Sequence, residues 1–371
     1  MNLRALLLCS DEKIVRVLRR TLGDLEIDVE HCGGSELAVR TLTRERFEAI
    51  VVDCVGESTE EVLRSVRMSP TNKRMVAVAI LEPTVGMRAA FDLGANFVLY
   101  KPVSAEKAKS SFRAARALMK KERRRNARVP VQIPVQLLNP ESGHHIKATT
   151  IDLGEGGMAV TLPRRSKLQG RWQVDLTLPG TESELKVDAQ FAWEGSGTQV
   201  GLRFENRSQE AERVLRAWLE QNSPEAEKDD PPVSCRLVDL THGGCYLESA
   251  SPFPLSTRLT LSMRTGDTEL GSHGVVRLMH PDRGMGVEFM KKTAEDRSAL
   301  EKFLGVLGKN REQWPELLVE PEGLEAPGAE QTTATSNDVL LGLFKKQASL
   351  PADAFLAELK KRRGAGTAAG R

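Results

Sequence analysis

The sequence lacks the motifs that most hydrolases, NTPases and zinc proteins carry. It contains no Ser/His/Asp array, no H-E-x-x-H motif and no Walker loop. Its five cysteines form no C-x-x-C pair and show no metal-ligand spacing. These absences argue against an enzyme and against a structural zinc site.

The chain also lacks a strong charge bias and a long apolar run. Its net charge of +2 gives no global electrostatic reason to bind nucleic acid, so DNA binding is not expected. No run approaches the roughly 20 apolar residues of a membrane span, and the apolar part of the N-terminus is too short for a signal peptide. Together with the odd number of cysteines, these features predict a reducing, cytoplasmic setting.

Residues 1–120 alternate short apolar runs with segments of helical periodicity. The predicted strands are Arg4–Cys9, Glu26–His31, Ala49–Asp53, Met75–Leu81 and Phe97–Tyr100. Strands that alternate with helices predict a parallel, doubly wound α/β sheet. The natural site of such a sheet lies at the carboxyl ends of its strands.

The residues at those strand ends resemble the site of the receiver domains of response regulators. Asp11 follows the first strand, Asp53 ends the third, and Lys101-Pro102 follows the fifth. The resemblance implies that Asp53 is the phosphoacceptor, that Asp11 and Asp53 hold Mg²⁺, and that Lys101 contacts the phosphoryl group.

Two positions depart from the receiver pattern. Ser10 stands where the first acid of the acidic pair is usual, and Glu82 lies near the place of the usual Ser or Thr after strand four. A carboxylate there would repel an aspartyl phosphate. We therefore favour a pseudo-receiver that binds protein, with Mg²⁺ only if the receiver is functional, and keep a phosphorylation-switched regulator as an alternative.

A run of arginines follows this domain and ends at Arg128. Asp152, Gly154 and Gly157 follow after one predicted strand and a turn. Guanidinium groups pair bidentately with phosphate and with the O6/N7 edge of guanine, and an aspartate can accept hydrogen bonds from guanine. Glycines let a ligand approach the backbone closely. The pattern suits a ligand with both phosphates and guanine bases.

The pattern Arg124-x-x-x-Arg128, followed by Asp152-x-Gly154-x-x-Gly157, resembles the two-part signature of PilZ domains, which bind the bacterial messenger cyclic di-GMP. The resemblance implies that these five residues bind cyclic di-GMP. The usual signature has Ser at the position of Gly154. A lost hydrogen bond to a charged ligand is worth roughly 1.5–3 kcal/mol, so we expect weaker affinity without loss of binding.

Residues 121–222 show many short strand patterns separated by turns. Such a sequence predicts a small antiparallel β-barrel. Residues Gln209–Gln221 then form an amphipathic helix with Ala211, Leu215 and Trp218 on its apolar face. The order of arginine arm, barrel and terminal helix is the PilZ layout.

The same pattern recurs at 231–308. The segment Asp239–Gly244 parallels Asp152–Gly157, and Gly286-Val-Glu-Phe289 parallels Gly201-Leu-Arg-Phe204. Two anchors at nearly the same spacing indicate an internal repeat. This second barrel lacks the preceding arginine pair, so we expect a degenerate PilZ-like domain that is structural or an interface.

Residues 309–371 are predicted to be a largely disordered tail. The composition of Glu316–Asn337 is typical of disorder, and Gly364–Arg371 is expected to be a flexible end. Two short amphipathic helices are predicted near Val339 and Ala354, each too short to be stable alone. They either dock on a partner or are transient.

The sequence predicts a multidomain signalling effector that binds cyclic di-GMP through its first barrel. The resemblance implies that the protein regulates motility, pili or exopolysaccharide. It would do so by binding an unidentified protein partner. Partner contacts are expected from the receiver-like domain, the second barrel or the tail helices. The alternative is a cyclic di-GMP-independent scaffold with a pseudo-receiver and vestigial PilZ pockets. In that case the arginines are a solvated helix end and the glycines serve turn geometry.

Overall fold

The protein is described by a computed structural model. The described residues are 2–54, 58–69, 72–166, 168–181, 184–195, 197–205, 208–223, 230–290, 293–309, 315–325, 338–347 and 352–366.

The N-terminal part contains a five-stranded parallel sheet flanked by helices. Its strands are β1 (Leu3–Leu8), β2 (Ile27–Cys32), β3 (Ala49–Asp53), β4 (Val76–Leu81) and β5 (Phe97–Tyr100). Its helices are α1 (Glu12–Gly23), α2 (Ser35–Arg44), α3 (Ser58–Met68), α4 (Met87–Asp92) and α5 (Ala105–Asn126). The strand order β2-β1-β3-β4-β5 confirms the predicted doubly wound sheet.

The burial pattern explains this architecture. Every residue of the inner strands β3 and β4 is buried, because helices cover both faces of a parallel sheet. Helix α1 begins where the Asp11 carboxylate accepts hydrogen bonds from the backbone N–H groups of Lys13 and Ile14. The strand ends that carry Asp53 and Lys101 thus stand on a rigid frame.

A first barrel follows. Its strands are β6 (Arg128–Pro130), β7 (Pro134–Leu138), β8 (His145–Gly154), β9 (Gly157–Thr161), β10 (Arg171–Thr177), β11 (Glu184–Glu194) and β12 (Gln199–Glu205). The order β8-β7-β10-β11-β12-β9 closes on itself because β9 also pairs with β8. Strand β6 pairs with the end of β8, and helix α6 (Gln209–Asn222) follows the barrel.

A second closed barrel has the order β13-β14-β17-β16-β15-β18. Its strands are β13 (Val233–Leu240), β14 (Gly244–Glu248), β15 (Thr257–Thr265), β16 (Thr268–His280), β17 (Gly284–Phe289) and β18 (Glu316–Leu324). Helix α7 (Ala294–Lys309) lies between β17 and β18 in the chain. Two antiparallel barrels, each with a helix after its repeat motifs, confirm the predicted fold class.

The disorder expected for Glu316–Asn337 is wrong for its first part. Residues Glu316–Leu324 form β18, which pairs with β13 on one side and β15 on the other and so closes the second barrel. Leu317 and Val319 are buried in the barrel core. The rest of that segment, 326–337, lies outside the described residues.

Two helices in the tail match the predicted amphipathic stretches. They are α8 (Val339–Gln347) and α9 (Ala352–Gly366). The flexible end expected from Gly364 is therefore wrong for Gly364–Gly366, and residues 367–371 lie outside the described part. No helix in the described ranges is long and apolar enough to cross a membrane.

The chain divides into two compact units. One contains residues 1–122 together with 229–371, and the other contains residues 123–228. The receiver-like domain therefore shares a unit with the second barrel and its tail.

Helix α5 carries the contacts within the first of these units. Asp230 accepts hydrogen bonds from Arg116 at 2.7 Å and Lys120 at 2.9 Å. The Glu122 carboxylate accepts from the backbone N–H of Leu324 at 2.5 Å, at the end of β18. Buried apolar residues from both parts belong to one continuous cluster.

Candidate functional site

The two halves of the arginine–aspartate pattern meet in the first barrel. Strand β6 pairs with the end of β8, so that Arg128 lies opposite Gly154 and Pro130 opposite Asp152. The Arg128 guanidinium donates from Nη1 to Asp152 Oδ1 at 2.7 Å. The same oxygen accepts from the backbone N–H of Ala159 at 3.3 Å. Both charged side chains keep solvent access, Arg128 more than Asp152.

Arg124 lies one helical turn before this pair. It is half-buried on the last turn of α5, and the backbone N–H of Ala127 donates to its carbonyl oxygen at 2.9 Å. The helix end and the start of β6 thus form one short connection. It places Arg124 and Arg128 on the same stretch of backbone, which we name the arginine arm (residues 123–130).

Gly154 is where the barrel touches the arginine arm. A Cβ on Gly154 would lie 2.9 Å from the carbonyl oxygen of Ala127. Real Cβ atoms essentially never approach a backbone oxygen so closely, so a side chain there would move the arm. The absence of a side chain at this position therefore allows the arginine arm to pack closely against the barrel.

Gly157 is fixed by a different contact. A Cβ on Gly157 would overlap the carbonyl oxygen of Leu202 on β12. Gly156 differs, because within the described part of the chain nothing lies within 4 Å of a Cβ built there. The turn between β8 and β9 is thus tightly packed at both ends and open at Gly156.

Glu155, inside the turn, holds two cationic side chains. Its carboxylate lies 3.9 Å from Arg125 Nε in the arginine arm and 3.1 Å from Arg216 Nε on α6. Its side chain is only 15% exposed. Glu155 therefore ties the turn to the arm and to the terminal helix, and the sequence pattern alone did not single it out.

Trp193 is a further site residue that the motif search did not single out. Asp152 pairs with Ala159, Ala159 with Gly201, and Gly201 with Trp193, across β8, β9, β12 and β11. Residues that pair across antiparallel strands share a face. With strand spacing near 4.8 Å, Gly201 lies about 10 Å from Asp152 along this row.

The indole of Trp193 covers Gly201, since a Cβ on that glycine would overlap its ring. Trp193 is nevertheless 45% exposed. An exposed aromatic ring in the row of Asp152 provides a surface on which a flat base can stack. The sequence signal for it was a tryptophan at the end of a strand, eight positions before the motif glycine.

The receiver-like site contains a chain of ion pairs. Lys101 Nζ lies 3.0 Å from Asp53 Oδ1 and 3.1 Å from Glu82 Oε1. Although burial disfavours the ammonium, these hydrogen bonds raise the pKa of Lys101 above its ordinary value. Glu82 thus holds the lysine that would contact a phosphoryl group.

The other oxygen of Asp53 is also engaged. The thiol of Cys9 donates to Asp53 Oδ2 at 3.5 Å. Burial, together with the nearby carboxylates, raises the pKa of Cys9 to about 11. The acceptor carboxylate is 6% exposed and lies between a thiol and an ammonium group.

The two carboxylates predicted to hold Mg²⁺ both contact other groups of the chain. One oxygen of Asp11 caps α1, and in Asp53 one oxygen accepts from the Cys9 thiol while the other forms the ion pair with Lys101. A hard cation needs several oxygen ligands. No group of three or more His, Cys, Asp or Glu side chains among the described residues could hold a metal ion.

Comparison with known proteins agrees with the architecture. The family model for the PilZ domain matches residues 122–221 and 223–305. No curated protein matches the chain in sequence.

Solved structures of both domain types are similar to parts of the chain. The chemotaxis response regulator CheY4 of Vibrio cholerae is 21% identical over 31% of this chain and 99% of its own, with a TM-score of 0.29. The PilZ domain of CeSA from a cellulose-synthesizing bacterium is 25% identical over 26% of this chain and 95% of its own, with a TM-score of 0.22.

The strand order of the N-terminal sheet, the two closed barrels and the family match lead to one conclusion. Residues 122–221 and 223–305 match the PilZ domain, and the two barrels follow a receiver-like domain.

Proposed function

We propose that the first barrel binds cyclic di-GMP and that the protein is a cytoplasmic signalling effector. PilZ domains are in general cyclic di-GMP-binding modules, and this barrel retains the charged residues of the signature. The observation that carries the proposal is the 2.7 Å contact between Arg128 and Asp152. Two residues 24 positions apart in sequence are held together beside an open glycine turn.

The proposal gives each residue a role that its chemistry allows. A guanidinium has five N–H donors and an ionised carboxylate several acceptor sites, so their mutual contact leaves both able to bind a ligand. Arg124 and Arg128 pair with phosphate oxygens and guanine edges, and Asp152 accepts from guanine N–H groups. Gly157 keeps the turn close to β12.

Trp193 completes the site by stacking on a base. Trp193 and Asp152 lie on the same row of paired residues, and the indole covers Gly201 between them. A base stacked on an aromatic side chain is worth about 1–3 kcal/mol. This binding free energy compensates for part of the hydrogen-bond energy lost because Gly154 has no hydroxyl.

The output is proposed to be a change in protein interactions. The resemblance to PilZ effectors points to motility, pili or exopolysaccharide as the regulated process. The arginine arm is the element that a bound nucleotide would reposition, because it carries Arg124 and Arg128, the two side chains proposed to contact the ligand phosphates. No catalytic role is proposed for any residue.

The test is calorimetric titration of the full chain with cyclic di-GMP. We expect saturable binding at one site per chain, and a loss of at least a hundredfold in affinity for the double variant Arg124→Ala/Arg128→Ala. Two charged hydrogen-bonding groups at roughly 1.5–3 kcal/mol each account for that factor.

The matched control is Arg213→Ala. Arg213 lies on α6 of the same unit, and among the described residues it pairs with Glu210 one turn away, so its removal should leave the affinity unchanged. Absence of heat with the unsubstituted protein would overturn the proposal. Equal losses in the control and the double variant would show a general charge effect and would also overturn the assignment of the site.

A second candidate is the ligand-independent scaffold. It is favoured by Lys101, which is shared between Asp53 and Glu82 and is therefore not placed to report a phosphoryl group. Treatment with acetyl phosphate and Mg²⁺ should then give no mass gain at Asp53. A gain that is lost in Asp53→Ala would instead support the phosphorylation-switched regulator.

A further inference from the structure

The turn of the second barrel already binds a carboxylate from the tail. The backbone N–H of Gly243 donates to Asp338 Oδ2 at 2.9 Å, and the Thr241 hydroxyl donates to Asp338 Oδ1 at 3.1 Å. Thr241 occupies the position equivalent to Gly154 in the first barrel, and Gly243 the position of Gly156. The turn thus supplies two donors to one carboxylate.

Asp338 also begins helix α8. Its Oδ1 accepts from the backbone N–H groups of Leu340 at 3.0 Å and Leu341 at 3.2 Å. An aspartate at this position satisfies N–H groups that have no partner inside the helix. One carboxylate therefore joins the start of α8 to the barrel turn.

The apolar face of the tail covers the barrel beside that turn. Tyr246 and Leu278 of the barrel form a buried cluster with residues of α8 and α9. The tail residues in this cluster are Leu340, Leu341, Leu343, Phe344, Phe355 and Leu359. The ring centroids of Tyr246 and Phe355 lie 5.0 Å apart, a distance typical of packed aromatic pairs.

Two glycines of the repeat motif make this contact possible. A Cβ on Gly243 would lie 2.8 Å from the Asp338 carboxylate and from Leu341 Cδ1. A Cβ on Gly286 would lie 2.6 Å from the ring of Phe344. Gly201, the equivalent of Gly286 in the first barrel, lies under Trp193, whereas Gly286 lies under Phe344 of a helix.

The covered face is the one that corresponds to the candidate site of the first barrel. Asp239 pairs with Tyr246, Tyr246 with Gly286, and Gly286 with Leu278. This row matches the row from Asp152 to Trp193, strand for strand. The tail therefore lies where a ligand of the first barrel would lie.

We propose that the second barrel is a receptor for an aspartate-capped amphipathic helix, and that its ligand is the pair of tail helices of the same chain, α8 with its cap Asp338 and α9. The turn Thr241–Gly244 binds the cap carboxylate, and the Tyr246–Leu278 row binds the apolar face. This goes beyond cyclic di-GMP binding and does not depend on it. The face that is proposed to bind a nucleotide in the first barrel binds a helix in the second barrel.

The experiment cuts the connection while keeping the whole chain. A protease recognition sequence is inserted between Thr333 and Ala334, and the folded protein is cleaved and analysed by size exclusion over a range of concentrations. In the intact chain the tether gives the tail a high effective concentration, so only the cut form reveals the intrinsic affinity. The tail fragment is expected to co-elute with the body.

Asp338→Asn is the critical variant. Asparagine caps helices as well as aspartate does, so α8 keeps its start, but its amide N–H₂ then faces the Gly243 N–H or the Thr241 hydroxyl. We expect the dissociation constant of the cut tail to rise at least tenfold. Thr241→Val, which removes a donor from the barrel side, should raise it in the same direction.

Asp353→Asn is the matched control. Asp353 lies in the first turn of α9 with its side chain 82% exposed, so its 3.4 Å ion pair with Arg283 of the barrel is screened by solvent. The control should bind as the unsubstituted tail does. If Asp338→Asn and Asp353→Asn bind equally, or if the unsubstituted tail separates at every concentration, the second barrel is not a receptor for this helix.

Discussion

The two barrels present the same face and cover it with different segments of chain. In the first, the arginine arm precedes the barrel and lies against Gly154, with Arg128 on Asp152. In the second, the tail follows the barrel and lies against Gly243, with Asp338 on the turn. The charged group that meets the motif is the Arg128 guanidinium in one copy and the Asp338 carboxylate in the other.

The comparison separates what the fold contributes from what the covering segment contributes. Both turns need a glycine at the position where a Cβ would overlap a carbonyl oxygen of the neighbouring strand. These positions are Gly157, which faces Leu202, and Gly244, which faces Val287. That requirement belongs to the barrel fold and does not depend on a bound ligand. It explains why the second copy keeps the motif glycines without the arginine pair.

The largest expected difference comes from the aromatic residue over the motif glycine in each copy. Phe344 is 3% exposed over Gly286, whereas Trp193 is 45% exposed over Gly201. Phe344→Ala should lower the free energy of unfolding of its unit by about 3–5 kcal/mol, because it leaves a cavity in a buried cluster. Trp193→Ala should cost less than about 1 kcal/mol in its own unit.

Hydrogen exchange along a urea series measures both, since it resolves peptides of each barrel. Trp193→Ala should also weaken cyclic di-GMP binding by about 5- to 150-fold, the equivalent of one lost base stack. Equal and small stability losses at the two positions would show that the tail does not pack on the second barrel as described.

The second prediction concerns the motif aspartates. Asp152→Asn should weaken cyclic di-GMP binding by about ten- to a hundredfold, because a charged acceptor is lost from the site. Asp239→Asn, at the matching position of the covered barrel, should leave that affinity unchanged. Calorimetry on the full chain measures both variants. A loss with Asp239→Asn would place a nucleotide site on the second barrel.

Sequence patterns were sufficient where the determining contacts are local or follow a motif. The alternation of strands and helices predicted the parallel sheet, and the spacing of the signature identified Arg128 and Asp152, which the fold brings together. Both predictions depend on the order of residues within short segments of the sequence.

Sequence patterns failed where the partner lies far away. Strand β18 contains Pro321 and Gly323, and its composition is typical of disorder, yet Leu317 and Val319 alternate with exposed residues as a barrel strand requires. The cap at Asp338 is readable as a helix start, but its contact with Thr241, 97 residues away, is a property of the fold alone. The average composition of Glu316–Asn337 obscured a short strand.

The third prediction tests why Gly154 replaces the usual serine. Gly154→Ser would place a Cβ 2.9 Å from the Ala127 carbonyl, and such overpacking costs about 1–3 kcal/mol. We expect a loss at the lower end, because the arginine arm can shift. Gly156→Ala is the control, since the described residues leave open space around it. Urea unfolding of the first barrel should show a loss of unfolding free energy of no more than about 0.5 kcal/mol for the control.

If the arm shifts to accept the new side chain in Gly154→Ser, cyclic di-GMP binding should strengthen even as the free protein is destabilised. The restored hydroxyl adds a hydrogen bond to the bound state. Displacement of the arm destabilises the free protein, whereas in the bound form the ligand has already moved the arm. A variant that is both more stable and unchanged in affinity would refute the close packing of Ala127 on Gly154.

The smallest expected effect concerns pH and distinguishes the second barrel from the first. His273 Nδ1 lies 2.6 Å from Glu322 Oε1 on β18, and this hydrogen bond raises the pKa of His273 above 6.5. Burial opposes the charge on Glu322, but hydrogen bonds from His273 and Thr260 outweigh it and lower the pKa of Glu322 to about 2. The pair ties β18, the strand that closes the barrel, to β15 and β16.

The two shifts give opposite pH dependences. Because the folded pKa of His273 is raised, its contribution is complete below about pH 6.5 and is lost as the pH rises through the higher folded value. Because the folded pKa of Glu322 is lowered, its contribution is present above about pH 4.5 and is lost as the pH falls towards 2. The pair therefore stabilises the second barrel most between about pH 4.5 and 6.5.

The His273 side chain is 64% exposed, so solvent screening limits the gain to less than about 1 kcal/mol. The urea midpoint of the second barrel should fall slightly from pH 6 to pH 8.5, and His273→Gln should remove that slope. His145→Gln in the first barrel is the control and should leave the slope intact. A slope that persists in His273→Gln would mean that another group ties the stability of the barrel to pH, and that β18 is held without this histidine.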